Sequence, residues 1–209
     1  MANNIYLIID RETQHFVVVD PSIESSPALQ RAQELQASGT RLQAIWNTHG
    51  HFDHIFDNHL WKSAFDVPLL MHEADLFFVE RLREQALWFG FEPPETVMPD
   101  QFLQEGQTLR LGNHEAQVLC TPGHSPGSVS FYFAESGFCV SGDVIFPGGA
   151  GRVDLPGASA SQLAASLRLL TDLPEQTRLL PGHSDATTVV REKSTNPALL
   201  NPEEFFQQT

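Results

Sequence analysis

Short apolar runs separated by polar stretches follow one another along the whole chain. Two of these runs, at 5–9 and 16–19, are rich in β-branched and aromatic residues and flank a polar stretch, which predicts a hairpin. The Ser-Ser-Pro segment at 25–27 predicts the beginning of a helix, because serine caps helices and proline suits their first turn, and Gly39 predicts its end. A strand is predicted over 41–47.

The periodicities typical of strands and helices predict further elements along the rest of the chain. They are helices over 58–64, 73–89 and 159–170, and strands over 67–71, 108–111, 115–120, 128–133, 138–141 and 178–180. The pairs Asn196-Pro197 and Asn201-Pro202 predict turns in the tail and no additional domain. Because strands and helices occur in two similar batches, we expect an α/β fold in which two β-sheets pack face to face with helices outside.

Length and composition indicate one folded globular domain, which we place over 1–209. The chain has 209 residues, of which 41% are hydrophobic and 18% charged, so a sizeable core is expected and disorder is not. The formal net charge is −14. Such a balance argues against nucleic acid as a partner, because there is no basic stripe to displace counterions from a phosphate backbone.

Cysteine usage and the N-terminal segment bear on the compartment. Cys120 and Cys139 lie in apolar strand-like runs, which predicts buried free thiols rather than a disulfide framework. The start, MANNIYLIID, lacks a basic region and carries Asp10, which predicts a strand rather than a signal peptide. No run approaches the roughly 20 apolar residues of a membrane-spanning helix. We expect a cytoplasmic protein without a membrane partner; the sequence gives no indication of oligomeric state.

The segment NTHGHFDH at 47–54 crowds polar side chains directly after a predicted buried strand. If the segment is extended, His49 and His51 project to the same side, and Asp53 and His54 follow one turn later. Taken alone, Asp53 would be interpreted as a helix cap, since such side chains often only bind backbone groups. This segment alone therefore does not establish a site, which would require further polar residues elsewhere in the chain.

That further set consists of His124 in TPGHSPGS, Asp143 in SGDVIF and His183 in PGHS, each next to a glycine after a strand-like run. Glycine allows tight turns, and the carboxyl ends of strands commonly carry sites. Together with NTHGHFDH these residues give five imidazoles and two carboxylates. This donor set suits Zn²⁺, Fe or Mn and lacks the thiolates of a structural zinc site. Seven ligands exceed one tetrahedral ion and fit two ions that share a carboxylate, which favours a metal site over capping residues.

A serine-hydrolase interpretation of the same region is excluded because one required backbone N–H is missing. The segment 123–127, GHSPG, matches G-x-S-x-G, in which the residue after serine supplies a backbone N–H to the oxyanion. Here that residue is Pro126, which has no N–H.

Other conspicuous side chains are assigned structural roles. We expect His15, in the predicted hairpin turn, and His114 at the surface. His72 is expected at a helix cap or exposed to solvent, and His59 lies on the helix after NTHGHFDH, with contact to the ligands as its alternative role. The aromatic residues of 77–91 are expected mainly in the core, although those of 88–91 could cover the mouth of the site.

The motif THGHFDH at 48–54, followed in order by His124, Asp143 and His183, resembles the metallo-β-lactamase fold superfamily over nearly the whole chain. The resemblance implies an αββα four-layer sandwich with two mixed β-sheets. It also implies one metal ion held by His49, His51 and His124, a second held by Asp53, His54 and His183, and Asp143 bridging both.

Within that superfamily, the run SGDVIFPGGAGRVD at 141–154 and the tail STNP at 194–197 are similar to short glyoxalase II-like hydrolases. Asp143 counts against class B β-lactamases, which replace this aspartate, often with cysteine or serine. RNA-processing members carry large inserted domains, for which this chain has no room. Full-length glyoxalase II adds a helical domain with basic residues that help hold glutathione. For an anionic substrate this chain offers Arg152, with Arg191 or Lys193 as further candidates.

The resulting hypothesis is hydrolysis of a small-molecule thioester, S-lactoylglutathione or a related hydroxyacyl thioester, by hydroxide held between two divalent ions. Zinc is expected, with iron or manganese as alternatives. Asp53 and Asp143 are the expected catalytic residues, the first as ligand and orienting group for the water and the second as the bridge, and Arg152 is the expected substrate-binding residue. A thiolate of pKa about 8.5 can leave without a strong general acid.

Two alternatives remain. Persulfide dioxygenases share the fold and the T-H-x-H-x-D-H motif but use one iron, and their last histidine tends to lie in P-A-H-D. The segment 181–184 reads PGHS, which favours the hydrolase. A metal-binding domain without catalytic activity is the other alternative, and it is disfavoured because every ligand position is intact.

Overall fold

Strands of two large sheets form the centre of the structure, a computed structural model that describes residues 2–207. In chain order the strands are β1 (Tyr6–Asp10), β2 (His15–Val19), β3 (Arg41–Trp46), β4 (Leu69–His72), β5 (Gln101–Leu103), β6 (Thr108–Leu111), β7 (His114–Cys120), β8 (Val129–Phe133), β9 (Phe138–Gly142), β10 (Ile145–Phe146), β11 (Gly149–Ala150), β12 (Arg178–Pro181) and β13 (Thr187–Thr188). The first sheet has the order β1-β2-β3-β4-β5 and the second β13-β12-β9-β8-β7-β6, while β10 and β11 form a separate ribbon. Both large sheets are mixed.

Helices cover the outer faces of both sheets. They are α1 (Ser26–Ala37), α2 (Phe52–Ile55), α3 (Asn58–Ala64), α4 (Leu76–Glu80), α5 (Leu82–Trp88), α6 (Ala160–Thr171), α7 (Val189–Thr195), α8 (Pro197–Leu200) and α9 (Pro202–Gln207), with a 3-10 turn at Glu73–Asp75. Within residues 2–207, none of them has the combination of length and apolar character that crossing a bilayer requires.

Alternation along β2 shows why the sheets are apolar on both faces. Val17 and Val19 pack between the sheets, against residues such as Phe131 of β8, and Phe16 and Val18 pack outward in the cluster that contains Trp61 of α3. Side chains of successive strand residues point to opposite faces, so a sheet covered on both sides needs an unbroken apolar run. The αββα sandwich implied by the sequence is therefore confirmed.

Most predicted elements are confirmed, and two predictions are wrong. The helix predicted over 73–89 is divided into the 3-10 turn, α4 and α5, with a break at Arg81. The tail forms three short helices rather than turns: the side chain of Asn196 caps α8 by accepting a hydrogen bond from the N–H of Ala198. The short strands β5, β10, β11 and β13 were not predicted.

Both thiols are free, as predicted. Cys139 is fully buried on the outer face of the second sheet, whereas Cys120 is only half-buried.

Candidate metal centre

The seven residues predicted as metal ligands lie together at one edge of the sandwich. Four of them follow β3, and the other three follow β7, β9 and β12 respectively. Strands β7 and β9 flank the antiparallel β8, and β12 runs parallel to β9, so the three loops after these strands meet at the same edge. The loop after β3, in the first sheet, completes the ring of side chains from the opposite layer.

The first group of three contains His49, His51 and His124, whose donor atoms all lie within 4.8 Å of one another. Nδ1 of His51 is 2.9 Å from Nε2 of His124. All three side chains are buried. Two buried imidazole nitrogens at this distance either share a proton or face a common cation.

The second group of three contains Asp53, His54 and His183, again with donor atoms within 4.8 Å of one another. Nε2 of His54 lies 3.3 Å from Nε2 of His183 and 3.7 Å from Oδ2 of Asp53, and His183 lies 3.4 Å from that same oxygen. The two groups are thus the same two groups that the sequence resemblance implied.

Asp143 lies between the two groups. Its Oδ2 is 3.6 Å from Nε2 of His124 in the first group and 3.3 Å from Nε2 of His183 in the second, and its Oδ1 is 3.5 Å from Nε2 of His54. The carboxylate is 8% exposed. It is placed to share its two oxygens between two cations.

Unpaired buried atoms test whether the residues fit metal ions. Among residues 2–207, Nε2 of His49, Nε2 of His51 and Oδ1 of Asp143 are buried and have no hydrogen-bond partner. Leaving such atoms unpaired costs free energy, and buried polar groups nearly always have partners. Imidazole nitrogens and a carboxylate oxygen are donors for zinc, iron and manganese. The donor set and its unpaired atoms therefore fit two divalent ions.

The pKa values of the histidines differ between the two groups. Burial holds the pKa of His49 well below its usual value and lowers the pKa of His51 to about 3, so both rings are neutral. Burial also acts to lower the pKa of His183, but hydrogen bonds to Asp143 and Asp53 outweigh it and raise that pKa to about 10. Without metal, protons on the second group neutralise the carboxylates, a role that cations can take over.

Asp20, which the sequence analysis missed, orients one histidine of each group. It is buried at the end of β2, where its Oδ2 accepts hydrogen bonds from the Thr48 hydroxyl at 2.6 Å and from Nδ1 of His54 at 3.0 Å. Since the hydroxyl proton of Thr48 is used, its oxygen accepts from Nδ1 of His49 at 3.0 Å. Both rings consequently present Nε2 to the centre of the site. Asp20 also lies close enough to His49 and His54 to form a third possible ligand group, but its oxygens are already occupied by these donors.

Asp75, also missed, ties together the loops that carry the first group. It is fully buried and accepts hydrogen bonds from the N–H of Gly50 at 2.7 Å, the N–H of Gly127 at 2.6 Å and the hydroxyl of Ser125 at 2.6 Å. A Cβ atom at Gly50 or Gly127 would lie within 3.0 Å of atoms of Asp75, so only glycine fits at either position. Ser125 is fully buried and occupied by this bond, which agrees with the rejection of a serine nucleophile.

The N-terminal residues close the second group from outside. Nδ2 of Asn3 donates to Oδ2 of Asp53 at 3.0 Å, and Nδ1 of His183 donates to the carbonyl oxygen of Ala2 at 2.9 Å. Asn3 forms an isolated antiparallel bridge with His183. These contacts fix the carboxylate and the ring in orientations that leave Asp53 Oδ2 and His183 Nε2 facing the site.

A cavity of about 530 Å³ opens over the two groups. Arg152 lines it, but its guanidinium forms a two-point ion pair with Asp154, at 2.5 and 2.6 Å. The carbonyl oxygen of Arg152 accepts a hydrogen bond from Nδ1 of His124 at 2.9 Å, so its backbone orients a predicted ligand. Arg81, which was not among the cations expected to bind an anionic substrate, also lines the cavity. Arg191 and Lys193 of α7, which were expected as further candidates, do not line it.

The remaining histidines lie outside the two groups. His72 caps the 3-10 turn, as predicted, by accepting a hydrogen bond from the N–H of Ala74 at 3.1 Å. Nδ1 of His59 donates to the carbonyl oxygen of Phe56 rather than to a ligand. His15 and His114 are half-buried strand residues rather than surface turn residues.

Comparison with known protein families gives one match that covers most of the chain. The model of the "Metallo-beta-lactamase superfamily" matches residues 1–183. Among curated proteins, the chain is 36% identical over 199 residues to the hydroxyacylglutathione hydrolase GloC of Haemophilus influenzae, covering 94% of this chain and 92% of that protein.

Three solved structures share the fold over nearly the full length. BLEG-1, a B3 metallo-beta-lactamase, is 32% identical with a TM-score of 0.84, over 94% of each chain. TTHA1623 in a di-iron-bound form is 40% identical with a TM-score of 0.82, over 93% of this chain and 94% of that one. ETHE1 from Myxococcus xanthus is 26% identical with a TM-score of 0.77, over 99% of this chain and 89% of that one.

Proposed function

The chain belongs to the metallo-beta-lactamase superfamily, a family of metal-dependent enzymes, and from that premise we propose that it hydrolyses thioesters, with S-lactoylglutathione or a related hydroxyacyl thioester as substrate. The observation that carries this proposal is the position of Asp143 between two groups of buried ligands, at 3.6 Å from His124 and 3.3 Å from His183. The identity of 36% to a hydroxyacylglutathione hydrolase supports the choice of thioester.

Two metal ions are part of the proposal, and the donor set described above fits them. The first would be held by His49, His51 and His124, the second by Asp53, His54 and His183, with Asp143 shared. When bound, a pair of divalent ions supplies Lewis acidity and lowers the pKa of a water molecule towards about 7. We expect zinc, with iron and manganese as alternatives, because the same ligands accept all three.

The protein's own residues do the positioning in this mechanism. Asp53 is held by Asn3, so that one of its oxygens keeps a fixed direction towards the cavity and can accept a hydrogen bond from attacking water. Burial keeps His49 and His51 neutral, hence able to donate a lone pair at neutral pH. The leaving thiolate, with a pKa of about 8.5, is stable enough to depart without a protonated side chain.

The deciding experiment measures thiol release from S-lactoylglutathione by protein purified without chelator, together with metal analysis of the same sample. We expect turnover, about two metal ions per chain, and loss of both turnover and part of the metal in Asp143→Asn. Asp66→Asn serves as the matched control, because Asp66 is exposed and lies outside the cavity. Two bound metals without thiol release would reject thioester hydrolysis.

Two further assays on the same sample separate competing activities. Oxygen consumption with glutathione persulfide tests a dioxygenase, and hydrolysis of a chromogenic cephalosporin tests a β-lactamase. We expect neither to exceed thioester turnover, and a larger specificity constant in either assay would replace the proposed function.

A further inference from the structure

Two short helices beside the metal groups, α4 and α5, carry side chains that folding leaves exposed. We propose that they form the recognition site for the substrate, with an aromatic wall for an apolar acyl group and Arg81 for a carboxylate. The aromatic wall is defined as Phe77 of α4, Trp88 of α5 and Phe89, which directly follows α5, while Arg81 lies between the two helices. This inference rests on the proposed function and specifies its substrate class, namely aromatic acyl thioesters of an anionic thiol.

The side chains of the aromatic wall contribute little buried surface to the hydrophobic core. Phe77 is 46% exposed, Trp88 74% and Phe89 44%, although neighbours in the same helices such as Phe78 and Leu82 are buried. All three line the cavity. Large apolar side chains grouped at the rim of a cavity indicate a binding surface, whereas single exposed ones carry no such meaning.

The aromatic wall is continuous with the loop of the first metal group. The ring of Phe89 stacks on that of Phe52 at 4.6 Å with planes 12° apart, and Phe52 directly follows His51. The ring of His51 packs edge-on against Phe78 at 4.7 Å. An apolar group on the aromatic wall would therefore extend from a reacting carbonyl near the metal groups over an unbroken aromatic surface.

Arg81 supplies a cation beside this wall. Its guanidinium lies 4.0 Å above the ring of Phe77, and Nε is 3.7 Å from Oε2 of Glu84, an exposed residue. Among residues 2–207, the guanidinium donates no hydrogen bond. Stacking on Phe77 holds its plane while its N–H groups stay available, the arrangement that suits a carboxylate.

Arg152, the other arginine of the cavity, is less able to bind an anion. Its Nε and one terminal nitrogen are both used by Asp154, at 2.5 and 2.6 Å. A substrate carboxylate would have to displace a two-point ion pair there, but only a weak contact with Glu84 at Arg81. Arg81 is therefore assigned as the residue that binds the carboxylate of the substrate.

A pair of substrates with the same thiol tests the aromatic wall. S-mandeloylglutathione and S-lactoylglutathione differ by a phenyl in place of a methyl group. We expect wild-type protein to prefer the mandeloyl thioester by about tenfold in kcat/KM, and Trp88→Ala to abolish most of that preference. Leu87→Ala is the matched control, since Leu87 is an exposed neighbour on α5 that does not line the cavity. Equal kcat/KM values in wild type, or an unchanged preference in Trp88→Ala, would overturn the role of the aromatic wall.

Arg81→Gln tests the anion site with the same two thioesters. We expect KM to rise about tenfold for both, with kcat nearly unchanged, because the guanidinium contacts the thiol portion rather than the reacting carbonyl. Arg83→Gln, an exposed arginine of α5 outside the cavity, is the control. An unchanged KM in Arg81→Gln would remove Arg81 from the proposal.

A binding measurement without turnover keeps this inference separate from the proposed function. Trp88 is exposed, whereas Trp46 is 2% and Trp61 0% exposed, so a ligand on the aromatic wall should change the fluorescence of Trp88 selectively. We expect S-benzylglutathione to bind about tenfold more tightly than S-methylglutathione, and Trp88→Phe to lose the signal. Tight binding without any thioesterase activity would reject the proposed function alone, and equal binding of the two thioethers would reject the aromatic wall alone.

Discussion

The hydroxyl of Ser125 donates a hydrogen bond of 2.6 Å to Oδ2 of Asp75, fifty positions earlier in the chain. The same carboxylate accepts the N–H groups of Gly50 and Gly127, so one fully buried side chain joins the loop of His49 and His51 to the loop of His124. The first group of candidate ligands is thus held in shape by a residue that is not itself a member of it.

Replacing this carboxylate should loosen the first group. Asp75→Asn turns one acceptor into a donor that faces existing donors, so we expect a loss of about 1–3 kcal/mol in the free energy of unfolding and weaker metal binding. Denaturant unfolding and competition with a chelator measure the two effects. Ser125→Ala removes one of the three donors to Asp75, together with the contact to the Ser128 hydroxyl at 2.7 Å, and should cost less. A cost equal to or above that of Asp75→Asn would contradict this account.

Asp20→Asn should lower the affinity of the protein for both metal ions, because Asp20 orients His54 directly and His49 through the hydroxyl of Thr48. Loss of a carboxylate behind a metal-bound histidine typically lowers metal affinity about 10- to 100-fold. Titration with a competing chelator should resolve two weakened binding steps. A change in a single step would mean that the hydrogen bond through Thr48 does not orient His49.

Gly151→Ala and Gly149→Ala form a matched pair in the segment that follows Asp143. A Cβ at Gly151 would collide with the carbonyl oxygen of Asp143 and contact the His124 ring, whereas a Cβ at Gly149 meets nothing within 4 Å. We expect Gly151→Ala to lower the free energy of unfolding by about 1–3 kcal/mol and to reduce metal content, and Gly149→Ala to change stability by less than about 1 kcal/mol. Similar unfolding curves for the two variants would show that a Cβ at position 151 does not collide with the carbonyl oxygen of Asp143.

Metal-free protein should be most stable near pH 6.5 and lose stability on both sides. The pKa of His183 is raised to about 10, so its stabilising protonation is complete below the ordinary value of about 6.5 and is lost as pH rises towards 10. Burial lowers the pKa of His51 to about 3, so below about pH 6.5 the unfolded chain binds a proton there that the folded protein does not, and stability falls as pH drops towards 3.

Thermal unfolding of chelator-treated protein across pH 4 to 10 tests this bell-shaped profile. His183→Gln should reduce the slope of its alkaline side without removing it: burial acts to lower the pKa of His54, but Asp143 and Asp53 outweigh it and raise that pKa as well, so His54 still loses a proton there. Metal-loaded protein should be flatter on both sides, because bound ions replace the protons. An alkaline slope that is equally steep in wild type and in His183→Gln, both metal-free, would show that His183 does not contribute to it.

Local patterns were sufficient to predict the layers of the fold. Runs such as 16–19 are apolar on both faces because they lie between a helix layer and a second sheet, and the structure contains that strand. The break in the predicted helix over 73–89 was missed because its apolar spacing continues through Arg81, while the backbone there leaves the helical path. The tail helices were missed because turn pairs such as Asn196-Pro197 also cap and begin short helices.

The centre of the site was easier to predict from sequence than its supports. His49, His51, Asp53 and His54 are adjacent in the chain and stand out as a cluster, whereas Asp20 and Asp75 are isolated acidic residues that resemble ordinary caps. Their roles depend on partners between 25 and 52 positions away, which no local pattern reveals. Arg81 was missed for the same reason, since only the folded chain brings α4 beside the metal groups.

The bridge between Asn3 and His183 has a consequence for the order in which the site is built. During synthesis from the N-terminus, His49, His51 and His124 are all in place in the chain while His183 is still to be added. A nascent chain that bound an ion at the first group would therefore do so before the second group is complete. The final closure joins positions 180 apart, and a loop of that length is slow to find its ends. An early ion would shorten that search by fixing two of the loops in advance.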